Sequence, residues 1–165
     1  MSRRATAARH QLRRVALQVL YAVDLAPGAG SGPPVSSEEA FEAVATNFDL
    51  PAGAHAFAET LVCGSIGCAS QIDALLAAHA KNWRVSRMAA VDRNILRLAC
   101  YELMRTDTPA SVILDEAIEL ARSFGSDASP AFVNGVLDAV AREVRAGDTR
   151  GEQAAGARSS GDPEP

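Results

Sequence analysis

Apolar side chains return every three or four positions through most of the chain, and no stretch shows the strict alternation that lays down a strand. In residues 1–24, Leu12, Val15, Ala16, Val19, Leu20 and Val23 share one helical face, while Arg14, Gln18 and Tyr21 run along the opposite one. Glycine and proline then crowd residues 26–35, denying both helix and strand and predicting a flexible loop. Ser36 and Glu39 stand at capping-box spacing and open a short helix expected to reach Phe48, with Asp49-Leu50-Pro51 as its stop. Over residues 52–80, Phe57, Leu61, Val62, Ile66, Ile72, Leu75 and Leu76 keep the helical period, which predicts one long helix. Gly64 and Gly67 within it supply a kink or a place for another helix to come close.

Residues 91–105 carry the widest apolar arc, formed by Val91, Ile95, Leu96, Leu98, Ala99, Cys100 and Leu103, so this helix is expected at the centre of the fold. Glu102 projects into that arc. A carboxylate there needs an arginine or other hydrogen-bond donors, or its pKa rises, and a structural ion pair is the favoured reading over a catalytic acid. Thr108 and Pro109 read as the cap and first turn of a helix reaching Phe124, with Gly125 as its stop. Ser129-Pro130 repeats that start signal for a last helix through Arg145, with Phe132, Val133, Val136, Leu137, Val140 and Val144 inward. Beyond it, residues 147–165 are polar and without apolar period, and a disordered tail is expected after a single domain spanning 1–146.

Charge changes this all-helical picture by singling out its first element. The 165-residue chain has net charge −4, yet residues 1–24 hold five arginines against one acid, leaving −8 for the remainder. A short basic arm on an acidic protein commonly meets a polyanion, nucleic acid foremost. Arg14, Gln18 and Tyr21 suit single-stranded RNA, because Arg and Gln bond phosphates and base edges while a Tyr ring stacks on an unpaired base. The same ring would also serve to cover a neighbouring loop.

Other classes find little support. Three cysteines suit a reducing compartment, the spacing of Cys63 and Cys68 does not match a zinc site, and Cys100 reads as a small core residue. No apolar run reaches the roughly 18 to 20 residues that span a bilayer, so the expectation is a cytoplasmic protein without a membrane partner. Phosphate-loop, nucleophile-elbow and metal-pair patterns are missing, so neither catalysis nor a cofactor or metal is expected.

Three blocks carry a resemblance: Asn94-Ile95-Leu96-Arg97-Leu98-Ala99-Cys100-Tyr101-Glu102-Leu103, then Asp115-Glu116-Ala117-Ile118-Glu119-Leu120-Ala121-Arg122-Ser123-Phe124-Gly125, and Phe132-Val133-Asn134-Gly135-Val136-Leu137-Asp138. With the arginine-rich start and the Gln18 to Tyr21 segment, the chain resembles the NusB family of bacterial transcription antitermination factors over about residues 9–145. The resemblance implies an all-α fold, a compact bundle of about seven helices in two small subdomains. It also implies a heterodimer with NusE, a small-subunit ribosomal protein. That heterodimer would grip single-stranded boxA RNA of nascent ribosomal transcripts and act indirectly on the RNA polymerase elongation complex.

Carried over by position, the RNA-binding residues would be Arg9, Arg13, Arg14, Gln18, Tyr21, Asp92 and Phe132, with Arg13 and Tyr21 foremost. Pro130 and Ala131 stand where many relatives have a basic residue, so the corner at Phe132 offers stacking without charge. Phe132 is as well placed for packing as for stacking, and Asp92 near a helix start also favours the helix dipole. Two other classes stay open. One is an accessory module of a ribosomal RNA cytosine methyltransferase, although a catalytic domain is not expected after this tail. The other is a scaffold that binds protein only.

Overall fold

The computed structural model describes residues 3–26, 36–49 and 53–158, and every regular element among them is helical. The elements are α1 (Arg3–Asp24), α2 (Ser37–Ala45), α3 (Ala54–Gly67), α4 (Ala69–His79), α5 (Ala90–Arg105), α6 (Ala110–Phe124) and α7 (Ser129–Arg158). A single 3-10 turn at Val85–Arg87 lies between α4 and α5. Helices α1, α2 and α3 pack on one another, α4, α6 and α7 gather around α5, and α5 also touches α1 and α3. The central place expected for the helix with the widest apolar arc is the one it occupies. One continuous cluster joins both groups, with Phe41, Leu61, Ile72, Ile95, Ile113 and Leu137 among its fully buried members. Each such side chain stabilises the fold by about 1.5–3 kcal/mol.

Local signals place most of the helix starts. Ser36 Oγ accepts from the Glu39 N–H at 3.1 Å and Glu39 Oε2 accepts from the Ser36 N–H at 3.2 Å, closing the capping box. That helix ends at Ala45, before Phe48, because Thr46 and Asn47 turn their side chains back onto its last carbonyls. Helix α6 begins one residue later than the expected cap, with Pro109 in extended backbone ahead of Ala110 and Thr108 in the preceding loop.

Two expectations are corrected. The single helix over 52–80 is two, α3 and α4, meeting at Cys68 with a change of direction of 70°. A straight helix from Ala54 to His79 would run about 39 Å at 1.5 Å per residue; the bend brings α4 against α5 and α7 instead. Gly64 does let another helix come close: a Cβ there would sit 2.2 Å from the Tyr101 ring. At the other end, α7 runs on to Arg158, so the backbone from Gly147 to that point is helical rather than tail-like. No proline interrupts it before Asp162-Pro163, and a polar stretch can continue a helix that a packed segment has already nucleated. The expected loop over 27–35 and the segment 159–165 lie outside the described residues.

Among the described residues no single helix is long and apolar enough to cross a membrane. None of their His, Cys, Asp and Glu side chains cluster as a metal site would require.

Candidate nucleic-acid interface

The basic arm is fastened to the bundle by a buried ion pair. Arg13 Nε donates to both Glu102 carboxylate oxygens at 3.1 and 3.0 Å, and Arg13 Nη2 donates to Oε1 at 2.7 Å. Both side chains are only 3% exposed. Glu116 on α6 comes within 4.0 Å of the same guanidinium, and its Oε2 lies 2.6 Å from His10 Nδ1. Burial alone disfavours the Arg13 cation, but the hydrogen bonds and charge of Glu102, with Glu116 behind them, outweigh it and hold the pKa above the usual value.

Glu102 therefore has the arginine partner its position called for. Arg13, expected on the exposed face of the arm, is instead buried against Glu102. The signal was present in the sequence: Arg13 stands three residues before Ala16, four before Leu17 and seven before Leu20, inside the apolar stripe.

Four of the other expected residues, Gln18, Tyr21, Asp92 and Phe132, line two neighbouring clefts. Arg9 is exposed on the arm, and Arg14 lies over the Phe124 ring, its guanidinium carbon 5.2 Å from the centroid. Gln18 and Tyr21, with Leu17, Val91 and Phe124, line a cleft of about 150 Å³, and Tyr21 is 38% exposed. On the other side of the first turn of α5, Asp92 and Phe132 line a second cleft of about 250 Å³ with Trp83, Ser126 and Ser129. Adjacent residues Val91 and Asp92 thus face different clefts, as their positions about 100° apart on α5 require. Trp83, 57% exposed, meets Phe132 edge to face with ring centroids 6.2 Å apart.

Three contributors were missed from sequence. Trp83 lies in a loop with no periodicity, and its pairing with Phe132 spans two elements. Phe124 was read only as the end of its helix, yet one face of its ring carries Arg14. Ser126 follows the helix-stop glycine and its N–H donates to Ser129 Oγ at 2.9 Å. The one available signal was an aromatic residue in an otherwise polar connection.

Behind the clefts a second charge network ties their walls together. Arg93 Nε and Nη2 donate to Asp24 Oδ2 at 3.0 and 2.6 Å, while Nη1 donates to the carbonyls of Val85 and Met88 at 3.4 and 3.2 Å. One guanidinium thereby joins the end of α1, one turn from Tyr21, to the loop that carries Trp83. Asn94 also donates to Asp24 at 3.0 Å, and Arg97 spans Asp24 and Asp73.

Burial would raise the Asp24 pKa, but these donors and the charges of Arg93 and Arg97 hold it below the usual carboxylate range. A carboxyl whose folded pKa is lowered contributes stability that is complete above its unfolded value of about 4 and is lost as pH falls through the folded value. Denaturant melts below about pH 4 are expected to show Asp24→Asn losing less stability with acidification than the parent chain. Equal acid dependence would remove Asp24 from the network's balance.

The profile of the NusB family matches residues 10–142 of this chain, the span that holds both clefts and the arm's anchor. The chain belongs to the NusB family. It is 44% identical over 138 residues to a protein of Geobacter sp. (strain M21) named transcription antitermination protein NusB, covering 82% of this chain and 95% of that one. Among solved structures of the family, T. maritima NusB superposes with a TM-score of 0.71 at 31% identity, over 82% of this chain and 91% of the other. A NusB chain in a complex of antitermination factors NusB and NusE with dsRNA gives a TM-score of 0.67 at 28% identity, over 83% and 98%. The all-helical fold is thus that of the NusB family.

Proposed function

We propose that this NusB-family protein acts in transcription antitermination, pairing with ribosomal protein NusE to hold single-stranded boxA RNA of nascent ribosomal transcripts in the cytoplasm. The observation that carries this reading is the arrangement around the first turn of α5. Arg14 over the Phe124 ring, the cleft of Gln18 and Tyr21, and the Trp83–Phe132 pair gather there, with Arg9 exposed farther along α1. Cations suit phosphates and the aromatic faces suit unpaired bases, the combination that single-stranded RNA needs. A solved relative assembled with NusE and RNA supports the choice of partners.

A few charge contacts alone give weak, salt-sensitive binding with little sequence preference, so NusE supplies the missing affinity. The effect on the RNA polymerase elongation complex is then indirect, through the RNA–protein assembly. The relatives are antitermination factors rather than enzymes, and no catalytic step belongs to this reading.

Titrating labelled boxA RNA and a scrambled RNA of equal length, with and without NusE at two salt concentrations, tests it. Tighter boxA binding that requires NusE is expected. Equal binding of both RNAs that salt erases would reduce the interface to a basic arm without a message.

A further inference from the structure

We infer that the cleft where the end of α1 meets the α3–α4 bend and α5 binds a free α-amino acid with an apolar side chain. Neither RNA nor NusE takes part, so this site stands or falls apart from the reading above.

The cleft encloses about 440 Å³, more than either of the two described above and within the usual size of a small-molecule site. Leu20 and Val23 of α1, Ile66 of α3 and Ala69 of α4 form its apolar walls. Its polar end is Asp24, Asn94 and Arg97. A few placed polar groups in an otherwise apolar hollow are what fixes the orientation of a ligand.

Each of the three brings an unused hydrogen-bonding atom. Asn94 is 1% exposed, and both its amide hydrogens are committed, to Asp24 Oδ2 at 3.0 Å and to the Ala90 carbonyl at 2.8 Å. Its Oδ1 accepts from no described residue. Among the described residues Asp92 Oδ1 is the one unpartnered side-chain oxygen sealed from solvent, so Asn94 Oδ1 is open, and the hollow that Asn94 lines is this cleft. An acceptor so nearly buried is costly to leave unmet.

The hydrogen bonds that Asp24 accepts, two from Arg93 and one from Asn94, all end on Oδ2, which leaves Oδ1 with only a 3.5 Å approach from Arg97 Nη1. Arg97 gives Nε and Nη2 to Asp73 at 2.9 and 2.8 Å, so Nη1 is the nitrogen it has to offer. The polar end therefore presents two acceptors, Asn94 Oδ1 and Asp24 Oδ1, beside one charged donor.

Charge narrows the ligand. Arg93 and Arg97 balance Asp24 and Asp73, so a simple cation or anion loses to one pair what it gains from the other. A zwitterion with adjacent charges suits both: its ammonium donates to Asn94 and Asp24, and its carboxylate accepts from Arg97. An α-amino acid is such a molecule, and an apolar side chain on it lies along Leu20, Val23, Ile66 and Ala69. A phosphate would face two carboxylates, and a peptide segment holds its terminal charges too far apart.

Titration calorimetry and thermal melts of the full-length protein test the site with L-leucine and L-phenylalanine. Glycine, 3-methylbutylamine and 4-methylpentanoate serve as comparisons, being leucine without its side chain, its carboxylate or its ammonium. Saturable binding of leucine or phenylalanine is expected, with Tm raised by about 2–5 °C at tenfold excess over Kd. Each truncated compound is expected to bind at least about tenfold more weakly.

Ala69→Phe fills the cleft from its apolar wall and is expected to abolish the response while the free protein melts as the parent does. Ile66→Ala withdraws part of the wall instead, which covers the case in which the larger ring disturbs packing, and should weaken leucine binding severalfold. Absence of binding at millimolar amino acid, or equal binding of any truncated compound, overturns the inference. Binding that both variants leave intact puts the ligand elsewhere and overturns the assignment of this cleft.

Discussion

Replacing Arg13 by alanine is expected to cost about 3–5 kcal/mol of folding stability, the cost of breaking a buried ion pair by removing one partner. Glu102 would be left 3% exposed with its three charge-assisted hydrogen bonds gone. Glu116 and His10 would lose the cation that stands between them and Glu102. Because the pair joins α1 to α5, the damage reaches the face of α1 that presents Arg14, Gln18 and Tyr21, and RNA binding should fall in parallel with stability. Urea denaturation of Arg13→Ala measures the cost. The double replacement Arg13→Met with Glu102→Leu separates anchor from ligand: removing both charges should restore most of the stability, and RNA affinity with it. A stable single variant that has lost RNA binding would instead return Arg13 to the RNA surface.

Tyr21→Ala is expected to weaken RNA binding by about 1–3 kcal/mol, roughly fivefold to over a hundredfold, at every salt concentration. A base stacked on the ring contributes no counterion release, so the slope of log K against log salt should stay as it is. The reverse pattern is expected when Arg9 and Arg14 are both replaced by alanine. For two lost phosphate contacts to a single strand the slope should decrease by about 1.4, and the affinity difference should shrink as salt rises. Measuring both variants over one salt series assigns each residue a physical role. Unchanged affinity in Tyr21→Ala would leave that ring as a cover for the cleft between α1, α5 and α6. A salt-dependent loss there would mean that it acts by placing the arm.

Much of this architecture was legible because its causes lie close together in the chain. The capping box at Ser36 and Glu39, the stop at Gly125 and the apolar stripes of α5, α6 and α7 each involve residues a few positions apart, and each appears where the pattern placed it. The resemblance to the NusB family was likewise written in contiguous blocks. Even the need of Glu102 for a partner followed from its place in an apolar arc.

What that partner would be was another matter. Arg13 lies 89 residues away, and only the packing of α1 on α5 turns it from an arm cation into an anchor. The bend at Cys68 follows Gly67, one of the two glycines marked for a kink, but its 70° turn, which sets α4 against α5 and α7, was not legible in the chain. The same holds for the clefts, where Trp83 meets Phe132 across two elements and Val91 and Asp92 face different clefts. The sequence by itself determined the helices, their inward faces and the placement of positive charge, because propensity, capping and periodicity act within a few turns. Tertiary structure alone decided which charges are spent inside and which aromatic rings share a wall, because those outcomes depend on distances between helices that no local pattern encodes.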